Sequence, residues 1–187
     1  MKFLRLLLLL SVLSAPALFS CEDKKKEEKA VQYNGPVMTV DNLSIAYSDS
    51  GRVTVKMSTA KQLKMQNEDE IYPKAVYINF IDKAGVEYSS LRGDSGSFSK
   101  VNNLYTLRGN VFFFNRTLQQ SLATEELFWN PLTKKIYSNQ KVKIKTPKDN
   151  LVAMGMEANQ DFSKYSIKKP KGTFMVDSLR SEPDTTL

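Results

Sequence analysis

Two adjoining stretches of strict two-residue alternation, repeated along the chain, confine this sequence to β-structure. From Ser121 to Ile144 it reads SLATEELFWNPLTKKIYSNQKVKI. Leu122, Thr124 and Glu126 alternate with Ala123, Glu125 and Leu127, and the run ends in Phe128-Trp129. Asn130-Pro131 then ends the strand, because proline lacks the N–H a ladder needs and Asn favours turns. Ile136, Ser138, Gln140, Val142 and Ile144 alternate with polar and basic residues from Lys135 to Lys145. A period of two places one set of side chains on each face of a strand.

The template recurs 31 residues earlier, in SLRGDSGSFSKVNNLYTLRGNVFFF. The shift sets Leu122 on Leu91, Trp129 on Phe98, Ile136 on Tyr105, Val142 on Val111 and Ile144 on Phe113. A partial third copy begins near Leu151, with Gly155 standing 31 residues after Thr124. Such repetition implies stacked hairpins, each too small to bury its own apolar face.

Similar signals run through residues 37–168. Leu43, Ile45 and Tyr47 precede a turn at Asp49-Ser50-Gly51, and Val53, Val55 and Met57 follow it. Val76, Ile78 and Phe80 precede a turn at Lys83-Ala84-Gly85. Short strands at this spacing predict an all-β sandwich or barrel. Residues 59–69 read as a helical turn or a long loop. The run Val111-Phe112-Phe113-Phe114 is apolar on both faces: either a core strand with a covered outer face, or a strand with one face lining a lipid-binding interior and the other meeting a partner or a second layer.

The ends have a different character. Residues 1–20 read as a secretory signal: Lys2 and Arg5, an apolar run from Leu6 to Leu13, then Pro16 and small residues. Leu18 to Cys21 suit a lipobox, which makes Cys21, the only cysteine, the lipidated first residue of the mature chain. Residues 21–38 read as a lipidated tether, whose charged stretch from Glu22 to about Gly35 reaches about 45 Å if extended. The β-domain is expected over 39–168 and a disordered polar tail over 169–187. Two tail triplets, Asp177-Ser178-Leu179 and Asp184-Thr185-Thr186, match a bacterial O-glycosylation pattern. Removing Lys2 and Arg5 takes the 27 basic residues to 25 against 20 acidic, a net +5. Lys141, Lys143 and Lys145 form a basic stripe: a solvated face that discourages edge aggregation, or an attractor for an anionic glycolipid or membrane.

Composition removes most catalytic chemistry. The chain has no histidine, so imidazole acid–base catalysis, histidine triads and histidine metal sites are excluded. With Cys21 acylated, no cysteine nucleophile or zinc cluster remains. The segment Leu91 to Gly96 lacks the Lys-Ser/Thr of a phosphate loop. Glu68, Asp69 and Glu70 read as a solvated loop, and Glu125 and Glu126 point to opposite faces of a strand. Neither a catalytic residue, a cofactor, a metal nor a nucleic-acid partner is expected.

The segments Leu122 to Pro131, Lys135 to Asn139, Val142 to Ile144 and Gly155 to Asn159 together resemble the LptC family of lipopolysaccharide-export proteins. The resemblance implies a twisted, open antiparallel β-jelly roll whose interior holds the acyl chains of lipopolysaccharide. It implies a periplasmic protein at the inner membrane, receiving lipid from an ABC transporter complex and passing it to an LptA-like bridge protein by edge-strand pairing. The edges it implies are residues 41–47 towards the transporter and 151–167 towards the bridge. Family members often carry a transmembrane helix; the lipobox here implies a lipid anchor instead, in the inner membrane or alternatively the outer. The residues expected to line the lipid path are Tyr105, Leu107, Val111, Phe113, Leu127, Trp129, Ile136, Val142 and Ile144. The rival reading is an anchored β-sandwich that binds glycan or protein and transports nothing.

Overall fold

A computed structural model describes residues 33–171. The expectations placed on the signal, on Cys21, on most of the tether and on the tail beyond 171 lie outside the described residues.

The described chain is all-β, an antiparallel β-jelly roll made from a single 11-stranded sheet. Its strands are β1 (Met38–Asp49), β2 (Arg52–Lys64), β3 (Glu70–Tyr72), β4 (Val76–Ile81), β5 (Glu87–Gly93), β6 (Ser95–Ser99), β7 (Leu104–Asn115), β8 (Gln120–Asn130), β9 (Lys135–Lys145), β10 (Asn150–Asn159) and β11 (Tyr165–Ile167). Residues 59–64, read as part of a turn or loop, instead complete β2. The side chains there explain the misreading: alternation stops at Thr59, and the next inward residue is Gln62.

The pairings reduce to a simple meander. β3 and β4 are one strand interrupted at residues 73–75, since both pair with β2. β5 and β6 are likewise one strand interrupted at Asp94, since both pair with β7. Each course of the sheet therefore neighbours the next in sequence, as short hairpin connections dictate.

A line of irregularity crosses every course. Between β7 and β8, Gly109 and Asn110 face the single residue Glu125. Between β9 and β10, Asn139 and Gln140 face the single residue Gly155. Residues 73–75 face two residues on β2 and two on the β5–β6 course. At each of these three crossings one strand has one residue more than its partner, which is what a β-bulge supplies: a bend and a change of which face the next residue meets. Four residues on this line have positive φ: Asn42, Gly109, Asn110 and Gly155.

The sheet folds along this crease. Phe80 and Trp129 lie on opposite sides of it, yet their rings meet edge to face at 5.3 Å. Tyr47 and Tyr105 also lie on opposite sides, with hydroxyls 2.6 Å apart. The inner faces of two layers thus meet. The first layer comprises residues 43–59, 76–93, 111–124 and 141–154; the second comprises 61–72, 95–108, 126–138 and 156–167.

The 31-residue repeat corresponds to one down-and-up passage through both layers. Leu91 and Leu122, Val111 and Val142, and Phe113 and Ile144 are buried at matching inward positions. The crease also changes the face assignments made from alternation in β8. Leu122 and Thr124 point inward, and after the bulge so do Leu127 and Trp129, while Gln140 on β9 is exposed.

Candidate functional site

The inner face is the feature that the whole sheet builds. All nine residues expected to line a lipid path lie on it and are buried: Tyr105, Leu107, Val111, Phe113, Leu127, Trp129, Ile136, Val142 and Ile144, none more than 5% exposed. They come from β7, β8 and β9. The same inner face continues on strands the sequence reading left out of the site: Val55 and Met57 of β2, Val76, Ile78 and Phe80 of β4 in the first layer, and Tyr72 of β3 in the second. Their alternation was visible; what was missing was that the crease would turn them against β7 to β9.

In this structure the inner face is filled. Rings form a continuous path through it, from Tyr72 to Tyr105 at 6.5 Å, Tyr105 to Trp129 at 5.0 Å, and Trp129 to Phe80 at 5.3 Å. Two depressions, of about 380 and 690 Å³, open elsewhere on the surface, one between the β2–β3 turn and β6, the other over Tyr137 and Glu157.

At the crease the broken ladder leaves backbone groups to be satisfied, and buried hydroxyls meet them. Thr124 Oγ1 donates to the Lys141 carbonyl at 3.0 Å and lies 3.2 Å from Ser138 Oγ. Ser138 Oγ accepts from the Gln140 N–H at 3.1 Å. On the next course Asn110 Nδ2 donates to Asp94 Oδ2 at 2.6 Å, and the Asp94 N–H donates to the Gly109 carbonyl at 2.9 Å. The hinge side of the fold is therefore held by covalent strands and a full set of hydrogen bonds.

The opposite side, where the two rows of turns meet, is held differently. No ladder joins the layers there. Lys134 faces Asp49 at 3.9 Å. Asn115 Nδ2 donates to the Asp161 carbonyl at 2.7 Å, and within the second layer Trp129 Nε1 donates to Gln160 at 3.1 Å, which fixes the turn that carries Asp161. Phe162, which sequence reading missed, inserts between the layers and stacks on Phe113 and Tyr165, each at 5.2 Å. Its only sequence signal is a single aromatic residue inside the polar turn Asp161-Phe162-Ser163-Lys164. This side forms a mouth closed by a few side-chain contacts.

One end of the mouth carries a partly buried polar chain. Tyr72 donates to Glu70, Tyr105 is hydrogen-bonded to Tyr47, and the Tyr72 and Tyr105 rings stack at 6.5 Å. Burial, first of all, pushes the phenols of Tyr72, Tyr105 and Tyr47 above their ordinary pKa, because it disfavours the phenolate. The neighbouring Glu70 hydrogen bond adds to the rise at Tyr72. All three stay neutral at physiological pH and serve as hydrogen-bonding groups. No set of three potential metal-ligating side chains converges among the described residues.

The edges of the sheet are β1, which pairs only with β2, and β11, which pairs only with β10. β11 covers only Met156 to Ala158 of β10, so within 151–167 the edge is formed by β11 and by the first-layer part of β10, which beyond β9 meets only the segment near Lys168 and Lys171. The pairing extends beyond the expected domain end at 168: Lys171 bridges to Val152.

A search of curated proteins finds no match to the chain. The family model for LptC-related lipopolysaccharide-assembly proteins matches residues 4–170. That match covers the described sheet and most of the chain before it. The protein belongs to the LptC family, a periplasmic, inner-membrane-associated component of lipopolysaccharide transport.

Proposed function

We propose that this chain carries lipopolysaccharide between an inner-membrane ABC transporter and a periplasmic bridge protein, with the acyl chains passing along the inner face. The single observation that carries this reading is the asymmetry between crease and mouth. The apolar face is enclosed by a covalent hinge on one side and by separable side-chain contacts on the other. Parting the mouth would expose Tyr105, Leu107, Val111, Phe113, Leu127, Trp129, Ile136, Val142 and Ile144 without breaking a strand pairing. Each buried CH₂ of an acyl chain contributes about 0.8 kcal/mol, so lipid can replace the contacts the layers make with each other. In this reading Cys21 is acylated and fixes the chain to the membrane, β1 offers its free edge to the transporter, and β11 offers its edge to an LptA-like bridge.

Photo-crosslinking in cells tests this. A light-activated phenylalanine analogue replaces Phe113 or Ile144, with Lys143 on the outer face as control. Lipopolysaccharide adducts at both inward positions and none at position 143 support the carrier. A folded, anchored protein without adducts at either inward position favours the rival, an anchored sandwich binding glycan or protein.

A further inference from the structure

The outside of the first layer is unlike the outside of the second. Register carries one straight row of outward residues across the sheet: Tyr77, Arg92, Phe112, Ala123, Lys143 and Val152. The row beside it runs Lys56, Asn79, Ser90, Phe114, Ser121 and Lys145. Neither row contains a carboxylate. Tyr77 and Phe112 are 47% and 46% exposed among the described residues. Lys143 and Lys145, with Lys141 beside them, form no ion pair among the described residues. Arg92 lies over the Tyr77 ring at 6.0 Å and meets Asp94 at the crease at 2.8 Å.

The second layer neutralises its outer charges. Arg108 pairs with Glu126 at 2.7 Å, and Lys135 with Glu157 at 3.7 Å. Its outer aromatics cover each other, with Phe128 and Tyr137 stacked at 4.8 Å.

We propose that the outer face of the first layer rests on an anionic lipid bilayer. Cations are spread across the sheet from Lys56 to Lys145, over about 24 Å at 4.8 Å per strand, and of those in the two rows only Arg92 meets a carboxylate among the described residues. That spacing suits a diffuse negative surface and not one point-charged ligand. Exposed tyrosine and phenylalanine between the cations suit the headgroup level, where amphipathic aromatic groups gather. Small residues such as Ser90, Ser121 and Ala123 keep the face flat, so several contacts form at once. This inference concerns the outside of one layer and stands whether or not the interior carries lipid.

The test uses the full-length chain in vesicles of phosphatidylcholine containing about one third phosphatidylglycerol. The photo-reactive analogue goes at Phe112, or at Ile71, which is 40% exposed on the second layer. Both positions are equally tethered, so only docking separates them. Expected are phospholipid adducts at position 112 and few at position 71. The Lys143→Gln/Lys145→Gln pair, both exposed and outside the core, should lower the adduct at 112 about thirtyfold, at about fivefold per cation, and high salt should do the same. Equal adducts at 71 and 112, or adducts at 112 unmoved by the double substitution and by salt, overturn the proposal. So do adducts at 112 to an acidic protein in place of lipid when the experiment is repeated in cells.

Discussion

Gly155 stands where β10 crosses the crease, at φ 96°. A Cβ there would meet the Ser138 carbonyl at 3.2 Å, so an L side chain is disfavoured twice, by conformation and by space. Gly155→Ala should cost about 1–3 kcal/mol, read as a fall in melting temperature. Gly85→Ala supplies the comparison: φ is 83° there, but nothing lies within 4 Å of the added Cβ. Gly155→Ala should be the worse of the two; equal losses would remove the crease packing from the account. The phenols of the mouth give a second prediction. Tyr72 and Tyr105 hold their protons above the ordinary tyrosine pKa in the folded state. Their stabilisation is complete below about pH 10, the unfolded value, and is lost as pH rises beyond it, because the unfolded chain then ionises first. Denaturation followed between about pH 9 and 11 should therefore show stability falling with a slope approaching about 1.4 kcal/mol per pH unit for each such tyrosine. Tyr72→Phe should flatten that slope; an unchanged slope would mean that other groups carry it.

At the scale of elements, the turn joining β10 and β11 does more than reverse the chain. Phe162 is buried although its φ is 58°, a conformation a bulky side chain adopts only when its surroundings compel it. Burial against Phe113 and Tyr165 supplies the compulsion. Phe162→Ala should cost about 3 kcal/mol and raise amide exchange first in β11 and residues 159–164, with β7 and β8 following only at global unfolding. Uniform acceleration would show the turn to be ordinary core and not a separate closing element. These cases also show what the sequence made legible. Strand existence and the 31-residue unit were written in alternation, since each hairpin repeats the same inward positions. The crease was not, because a bulge adds one residue without any motif of its own: Glu125 and Glu126 look like continued alternation, yet they let Leu122 and Trp129 share a face. The inner-face residues Val55, Ile78 and Phe80 were legible as strands and illegible as site, since which strands enclose one interior depends on the fold of the whole sheet.

For the whole molecule, crease and mouth set different stabilities on the two sides of one core. Opening at the mouth needs loss of a handful of contacts: Asp49 with Lys134, Tyr47 with Tyr105, Asn115 with Asp161, and Phe162 with Phe113. Opening at the crease would need strands to break. Local opening follows the weaker side. Added lipopolysaccharide should therefore change the mouth side and leave the crease side as it is. Amides in the turns at 115–120, 130–135 and 159–165 should exchange faster with lipid bound, while those at the crease, such as Asp94 and Gln140, should stay protected. Trp129, the only tryptophan, sits on the mouth side of the core and should report the same event by a change in its emission. If lipid slows exchange evenly across the sheet and leaves Trp129 unmoved, it binds outside a closed core, and the layers do not part.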